Sequence, residues 1–258
     1  MLTIEQIQQQ YPQNLRAFKR SLLREYLQYK ILEIIFASEY AGKLSFLGGT
    51  ALRIVYDNNR FSEDIDFDNF GLSEQAFETV AQKIKAGLEA DGFKVEIDIV
   101  GQEAYRCNVR LPDLLFGSGL SAHQTEKILI QIDSLAHGVS YKPERKILNK
   151  FDVFTEIFVT PPDLLLSQKI NAAVGRKRAK GRDFYDIVFL LSFTKPNYEY
   201  LKQKMDIDNV EQLRARLLEL IKEFDFAELA RDVAPFLFEP NDSKKVRLFP
   251  DFIKQAKL

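Results

Sequence analysis

Cysteine and histidine, which supply many metal centres and nucleophile–base pairs, are almost absent from the sequence. The 258 residues include one cysteine, Cys107, and two histidines, His123 and His137. A single cysteine excludes an intrachain disulfide framework and a cysteine-based zinc site, and neither histidine has a partner at metal-ligand spacing. Cys107 lies in an alternating stretch, which predicts a small sheet or core residue without a catalytic role. One cysteine also fits a reducing cytoplasm.

Long apolar runs and a large net charge are also absent. The longest apolar runs, such as 187–191, are far too short to cross a membrane, and the N-terminal residues lack the basic start and apolar core of a secretory signal. We therefore expect a cytoplasmic protein with no membrane partner. The net charge of −1 excludes a uniformly basic nucleic-acid-binding surface but allows a local basic patch. Tryptophan is missing, whereas 21 phenylalanines predict a phenylalanine-rich core.

The stretch from residue 46 to residue 70 reads FLGGTALRIVYDNNRFSEDIDFDNF. The apolar run 44–47 predicts a short buried strand, which ends at a glycine turn and is followed by a helix. A glycine turn that opens a helix leaves backbone N–H groups unbonded, and the helix dipole favours an anion there. Gly48, Gly49 and Thr50 are therefore candidate phosphate ligands, Thr50 through its hydroxyl as well.

Two aspartates follow this turn by about fifteen residues. In a strand, residues two apart face the same side, so Asp64 and Asp66 project together while Ile65 and Phe67 face the core. Paired carboxylates repel each other unless a cation lies between them, and oxygen ligands of this kind suit Mg²⁺, which also bridges substrate phosphates. One segment thus combines a candidate phosphate-binding turn with a candidate metal-binding pair of carboxylates, which predicts nucleoside-triphosphate chemistry.

These residues carry a family resemblance. GGTAL followed by RFSEDIDF resembles the first motif of the nucleotidyltransferase toxins of the AbiEii/AbiGii family, a branch of the DNA polymerase β-like nucleotidyltransferases. The resemblance implies metal-dependent transfer of a nucleoside monophosphate from an NTP. Some members are toxins of bacterial toxin–antitoxin or phage-abortive systems, and some modify the 3′ end of tRNA, so RNA and an antitoxin protein are expected partners. Within the motif, Arg60 and Ser62 either position the loop or contact phosphate.

A third carboxylate lies in the predicted strand KILIQIDSL, residues 127–135. Burying Asp133 unpaired near the end of this strand would be costly, so it needs a cation or hydrogen-bond donors. Polymerase β-like enzymes take a third carboxylate from a later strand beside the first pair, and Asp133 resembles that residue. The alternative is an acid that merely ends the strand. The resulting hypothesis has two Mg²⁺ ions, or Mn²⁺ in their place, held by Asp64, Asp66 and Asp133.

The string SQKINAAVGRKRAKGRDFYDI, which begins at residue 167, resembles the later AbiEii motifs: a helical lysine, then an arginine, then R-D-x-Y-D. Lys169 and Arg176 are about two helical turns apart and so project on one face. There they can hold the triphosphate or neutralise the departing pyrophosphate. The basic cluster around Gly181, which includes Lys177 and Arg182, could bind phosphate or an RNA backbone.

Asp183 and Asp186 lie three residues apart and share one side of the next predicted helix. Asp186 is a candidate catalytic residue that contacts Lys169, the nucleotide or the acceptor. Asp183 either belongs to the nucleotide site or only pairs with a neighbouring basic residue. The alternative for the whole group is a structural ion-pair network, since the helix dipole by itself favours acids at this position.

Together these patterns predict an α+β fold. Residues 1–160 form a polymerase β-like nucleotidyltransferase domain, a mixed sheet with packed helices preceded by N-terminal helices. Pro161-Pro162 marks the boundary, and residues 161–258 form a helical C-terminal domain that completes the active cleft. The predicted helices are 2–10, 15–36, 73–90, 162–178, 182–193, 210–224, 225–234 and 250–257. The predicted later strands are 93–100, 105–111, 127–135 and 151–159, with a loop over 112–124.

Three functions stay open. The first is a toxin-type enzyme that adds nucleotides to tRNA or another RNA, which the basic segment 176–182 favours. The second uses the same chemistry to transfer the nucleotide to a protein or a small molecule. The third is a non-catalytic nucleotide- or partner-binding module, against which the full set of carboxylates argues.

Overall fold

The computed structural model describes residues 1–101, 104–176 and 178–258. Lys177, which belongs to the predicted basic cluster, lies outside the described residues. The chain divides into two compact units, each of which is described by itself. The first unit contains Met1–Val55, Phe61–Gly138 and Lys142–Val159. The second unit contains Tyr56–Arg60, Val139–Tyr141 and Thr160–Leu258.

The first unit is built on a mixed sheet, which has seven strands within the described residues. The strands are β1 Leu44–Leu47, β2 Ile65–Asn69, β3 Glu96–Gly101, β4 Tyr105–Leu111, β5 Ile128–Leu135, β6 Glu144–Lys150 and β7 Val153–Val159. Their order is β3-β4-β5-β2-β1-β7-β6. Strand β2 pairs antiparallel with β1 and parallel with β5, and β1 pairs parallel with β7.

The helices of this unit are α1 Ile4–Gln9, α2 Lys19–Phe36, α3 Gly48–Tyr56, α4 Glu74–Ala90 and α5 Leu114–Gly117. The last residue of α3, Tyr56, belongs to the second unit. The side chains of Thr3 and Ser73 cap α1 and α4, because they accept hydrogen bonds from the first turns of these helices. The predicted helix 15–36 begins only at Lys19, after a 3₁₀ turn over Gln13–Leu15.

The alternation predicted for β2 is confirmed. Ile65 and Phe67 are buried, and the ring of Phe67 lies 5.8 Å from that of Phe46 and 6.0 Å from that of Phe36 on α2. Asp66 stands between them in the sequence and is half-buried. Because one face of β2 is anchored by phenylalanines, the side chain of Asp66 is held on the other face.

Two elements of the first unit were missed by the sequence analysis. Strand β6 was not predicted, because it is an edge strand that pairs only with β7 among the described residues and buries only Leu148. The predicted loop 112–124 contains the one-turn helix α5. The prediction for Cys107 is confirmed, since it is a fully buried residue of β4.

The second unit is helical. Its remaining helices are α6 Pro162–Gly175, α7 Gly181–Leu190, α8 Tyr198–Met205, α9 Val210–Leu220, α10 Phe226–Val233, α11 Lys244–Arg247 and α12 Phe249–Gln255. In its core the ring of Phe184 lies 4.9 Å from that of Phe226 and 5.0 Å from that of Phe249. A Cβ on Gly181 would overlap the carbonyl oxygen of Leu229, so α7 begins in direct contact with α10. Within the described residues, no helix combines the length and apolar character needed to cross a membrane.

Candidate active site

The glycine turn and the first carboxylate pair meet in the first unit. Helix α3 begins at Gly48, directly after β1, so the N–H groups of its first turn have no acceptor within the helix. Gly48 has φ +79°, and a Cβ there would overlap Oδ2 of Asp66. Glycine is therefore required twice at this position, for the backbone conformation and for the approach of the carboxylate. The structure brings the predicted phosphate-binding turn, at Gly48, into direct contact with Asp66.

Thr50 has a different role from the one predicted for its hydroxyl. The side chain is fully buried, and Oγ1 donates a hydrogen bond to the carbonyl oxygen of Asp64. A hydroxyl has one proton to donate, so in this structure it is not offered to a phosphate. The correction is that Thr50 holds the backbone at Asp64, one residue before β2. Its backbone N–H stays a candidate phosphate ligand, as do those of Gly48 and Gly49.

Two of the three predicted carboxylates lie on neighbouring strands, and the third lies directly before one of them. Asp64 immediately precedes β2, Asp66 is its second residue, and Asp66 is the register partner of Asp133 on the parallel strand β5. Register partners on adjacent strands point to the same face. Asp133 therefore stands beside Asp66, as the sequence analysis expected. Ser62, two residues before Asp64, is half-buried, and its carbonyl oxygen accepts a hydrogen bond from Nε2 of Gln28 at 3.1 Å.

An arginine that the sequence analysis did not select completes this group. Arg106 on β4 is the register partner of Asp133, and its Nε and Nη2 donate to the two carboxylate oxygens at 2.8 and 3.0 Å. Gln131 adds a third donor at 2.9 Å. These contacts meet the predicted need of Asp133 for a cation or donors. The pKa of Arg106 is raised mainly by the hydrogen bond to Asp133 and next by the negative charge of Asp133. The charges of Asp64 and Asp66 make smaller contributions in the same direction.

The donor set can be compared with the needs of a divalent cation. Asp64 and Asp66 provide carboxylate oxygens, the ligands that Mg²⁺ prefers, so this pair fits a hard cation. Among the described residues, however, no three acidic, histidine or cysteine side chains are gathered as a metal-binding group. The oxygens of Asp133 face Arg106 and Gln131 instead. Asp133 would join the pair as a ligand only after Arg106 releases it.

A second charged group lies within the second unit and centres on Asp186 of α7. Nε and Nη2 of Arg60 donate to its two oxygens at 2.7 and 2.6 Å, and Asn58 donates to Oδ1 at 2.9 Å. Lys169 of α6 lies 3.0 Å from Oδ2. Burial by itself would raise the pKa of Asp186, but the charges of Arg60 and Lys169 and their hydrogen bonds outweigh it and hold the pKa below its ordinary value.

Asp183, one turn before Asp186, receives the other predicted cations. Lys169 lies 3.4 Å from Oδ1 of Asp183, and Arg176 pairs with Oδ2. Burial by itself lowers the pKa of Lys169, but the charges of Asp186 and Asp183 outweigh it, so the pKa is raised. The prediction that Lys169 and Arg176 share one helical face is wrong, because α6 ends at Gly175 and Arg176 has an extended backbone. Both cations nevertheless contact Asp183. Asp183 thus pairs with neighbouring basic residues in this structure.

Arg60 and Arg182, two predicted phosphate contacts, both have partners within the second unit. Arg60 is 1% exposed and both of its donors to Asp186 are engaged, so it positions the loop, which was the other alternative. Its backbone forms a bridge to Leu237. The guanidinium of Arg182 lies over the ring of Phe236, 4.9 Å from the centroid. Asp186 has no exposed surface and contacts Lys169, the first of its three predicted partners.

The group in the second unit has an excess of positive charge. Among the described residues, three cations face two carboxylates: Arg60, Lys169 and Arg176 against Asp183 and Asp186. The side chain of Arg176 is 41% exposed and that of Lys169 16% exposed. The surplus charge therefore lies on the solvent-facing side of the cluster, where it can attract an anion.

The chain was compared with known proteins. A family model described as "Nucleotidyl transferase AbiEii toxin, Type IV TA system" matches residues 30–252. The crystal structure of JHP933 from Helicobacter pylori is 17% identical, with 91% of each chain covered and a TM-score of 0.56. A crystal structure described as "putative nucleotidyltransferase from H. pylori" is 18% identical, with 91% of this chain and 94% of that chain covered and a TM-score of 0.58. No curated protein matches in sequence. The predicted α+β nucleotidyltransferase fold is confirmed.

Proposed function

The chain belongs to the AbiEii nucleotidyltransferase toxin family of type IV toxin–antitoxin systems, and from this premise we propose that it transfers a nucleoside monophosphate from an NTP to a hydroxyl at the 3′ end of RNA, with tRNA as the first candidate. The observation that carries the proposal is the position of Asp66, which lies against Gly48 at the start of α3 and level with Asp133. Carboxylate oxygens and helix N-terminal N–H groups, which serve metal ions and phosphates respectively, meet at this point.

The proposed reaction is an in-line displacement. The acceptor oxygen forms a bond to the α-phosphorus, while the bond from that phosphorus to the oxygen bridging to the β-phosphate breaks. Pyrophosphate leaves with the electron pair, and the hydroxyl proton passes to solvent or to a nearby carboxylate. Mg²⁺, as two ions or with Mn²⁺ in their place, would be held by Asp64 and Asp66 and would supply charge neutralisation and an acidified acceptor hydroxyl.

The residues of the chain have separate tasks in this proposal. The N–H groups of Gly48 and Gly49 bind phosphate oxygens, and the dipole of α3 stabilises the negative charge that grows on the leaving group. Thr50 keeps Asp64 in place through its hydrogen bond to the Asp64 carbonyl. In the second unit, the Arg60–Asp186 pair orients the ammonium group of Lys169, because that group lies 3.0 Å from Asp186.

RNA is favoured as the acceptor by the exposed cations that follow α6. Arg176, Arg178 and Lys180 are all exposed, and a closely spaced set of solvated cations suits a polyanion better than a neutral acceptor. The reaction would take place in the cytoplasm, where NTPs and tRNA are found. The antitoxin protein that the family description implies is the proposed partner of the system.

The test is transfer of label from each of the four [α-³²P]NTPs, with Mg²⁺, onto total tRNA and separately onto total protein. We expect label on tRNA from one preferred NTP and a loss of about a thousandfold in Asp66→Asn. Asp98→Asn is the matched control, because Asp98 is a 53% exposed aspartate of the same sheet and should keep full activity.

Other outcomes would redirect the proposal. Label on protein instead of tRNA would identify a protein hydroxyl as the acceptor. NTP binding, measured by thermal stabilisation, without transfer to either acceptor would favour a small-molecule acceptor or a binding module. Undiminished transfer by Asp66→Asn would show that the carboxylate group is not the reaction centre.

A further inference from the structure

Arg106 forms a bidentate ion pair with one member of the carboxylate group in the first unit. Its planar guanidinium donates to both oxygens of Asp133, at 2.8 and 3.0 Å. The two residues are register partners on the antiparallel strands β4 and β5, so their side chains leave the same face of the sheet at the same level. The bidentate geometry therefore follows from the backbone and does not need a particular loop conformation.

The pair stands next to the carboxylates that fit a divalent cation. Asp133 is level with Asp66 on β2, and both Asp64 and Asp66 contribute to the raised pKa of Arg106. One guanidinium thus faces three carboxylates. It contacts Asp133 directly, and a divalent cation placed among these carboxylates would be attracted by the same negative charges.

The Arg106–Asp133 pair can open at little cost. The side chain of Arg106 is 49% exposed and that of Asp133 26% exposed, and ion pairs with a solvent-accessible partner contribute little to stability. A divalent cation carries twice the charge of a guanidinium and is smaller, so it interacts more strongly with carboxylate oxygens at close range. The long arginine side chain can then turn into solvent.

We propose that Arg106 is an internal counter-ion that occupies Asp133 when no divalent cation is bound and competes with the cation for this carboxylate. The inference rests on the proposed function, because it takes the carboxylates as the cation site. In the free protein Arg106 would keep Asp133 paired. Arg106 then acts as a positioning residue, since it controls when Asp133 becomes a ligand.

The test measures the binding of Mn²⁺ to the full chain, with free Mn²⁺ counted from its EPR signal. Arg106→Gln should bind Mn²⁺ about fivefold more tightly than wild type, because the cation no longer has to displace the guanidinium. Arg106→Lys keeps the charge but cannot form the bidentate pair, so it should fall between the two. Arg110→Gln, on the same strand and facing Asp98 at 3.6 Å, should leave the affinity unchanged.

A second comparison separates competition at Asp133 from a general effect of charge. In an Asp133→Asn background, Arg106→Gln should no longer change Mn²⁺ affinity, since the contested carboxylate is gone. Three results would overturn the inference. They are an equal gain in Mn²⁺ affinity in both backgrounds, an unchanged or weaker affinity in Arg106→Gln, and the absence of saturable Mn²⁺ binding in every variant. If wild type transfers label but Arg106→Gln leaves Mn²⁺ affinity unchanged, only the counter-ion role of Arg106 is rejected. If the affinities change as expected but no label is transferred, only the proposed reaction is rejected.

Discussion

The carboxylate of Asp66 packs directly against the backbone of Gly48, since a Cβ on residue 48 would overlap its oxygen Oδ2. Gly48→Ala should therefore displace Asp66 and strain the backbone, which has φ +79°. We expect transfer activity to fall about a hundredfold, the scale of a misplacement near 1 Å. Stability should fall by about 2–4 kcal/mol, as overlap adds to backbone strain. Label transfer and urea unfolding measure the two effects.

Two other glycines provide controls for this substitution. Gly71 has φ +87°, and a Cβ added there would meet no heavy atom of the described residues within 4 Å beyond its chain neighbours, so Gly71→Ala tests backbone strain without overlap. It should cost about 1–2 kcal/mol and leave transfer unchanged. Gly42→Ala introduces neither strain nor overlap and should be close to neutral. Equal stability losses at Gly48 and Gly71 would contradict the overlap.

Thr50 should contribute to stability as well as to activity. Thr50→Val removes the donor to the Asp64 carbonyl and leaves that oxygen without its partner, which costs about 1–3 kcal/mol. Thr50→Ser should restore most of this loss, because it keeps the hydroxyl. The matched control is Thr79→Val, whose exposed hydroxyl bonds the carbonyl of Gln75 within α4. If Thr50→Val lost activity at full stability, the hydroxyl would instead serve a ligand.

The buried pair of Arg60 and Asp186 should be costly to break from either side. Asp186→Asn removes the carboxylate that the buried Arg60 faces, and Arg60→Gln takes away the bidentate partner of Asp186 and leaves Lys169 to balance its charge. Each substitution should therefore reduce the free energy of unfolding by about 3–5 kcal/mol. Arg216→Gln removes a more exposed pair to Glu219 and Glu223 and should cost about 0–1 kcal/mol. Urea unfolding provides the comparison.

A double variant tests whether the two losses have one cause. Arg60→Gln combined with Asp186→Asn should cost clearly less than the sum of the single substitutions, because the residues share one interaction. Additive losses would show that each residue stabilises the fold through separate contacts.

The contribution of Asp186 should depend on pH in a defined direction. Its folded pKa lies below the ordinary value of 3.8, because the charges and hydrogen bonds of Arg60 and Lys169 outweigh burial. The unfolded chain therefore takes up a proton first as pH falls. The difference in unfolding free energy between wild type and Asp186→Asn should stay constant from pH 7 to about 5 and shrink below about 4. A difference that grows on acidification would mean a raised folded pKa.

Cys107 should be unreactive in the folded chain. Its thiol is fully buried in β4, and burial, followed by the charge of Asp98, raises its pKa to about 12. At pH 8 the thiolate required for reaction is therefore scarce and shielded. In the time that fully labels the protein in urea, Ellman's reagent should modify less than a tenth of the folded protein. A pKa raised by about one unit would by itself lower the thiolate fraction about tenfold. Rapid stoichiometric labelling without denaturant would contradict this burial.

The sequence by itself determined the local elements and the chemistry of the first motif. The strand Leu44–Leu47 was predicted with its observed ends, because a short apolar run stops at a glycine turn. The core-facing positions of Ile65 and Phe67 followed from the two-residue period of a strand. The family followed from GGTAL and RFSEDIDF, whose residue types and spacing carry the resemblance without any tertiary contact.

Only the tertiary structure decided which distant residues meet. Arg106 pairs with Asp133 across 27 positions and Arg60 with Asp186 across 126, and a sequence pattern cannot reveal the register of two strands or the partner of a buried arginine. The same limit explains the hydroxyl of Thr50, which looked available until the carbonyl of Asp64 was placed beside it. Local periodicity reports which face a residue occupies, whereas long-range packing decides what that face meets.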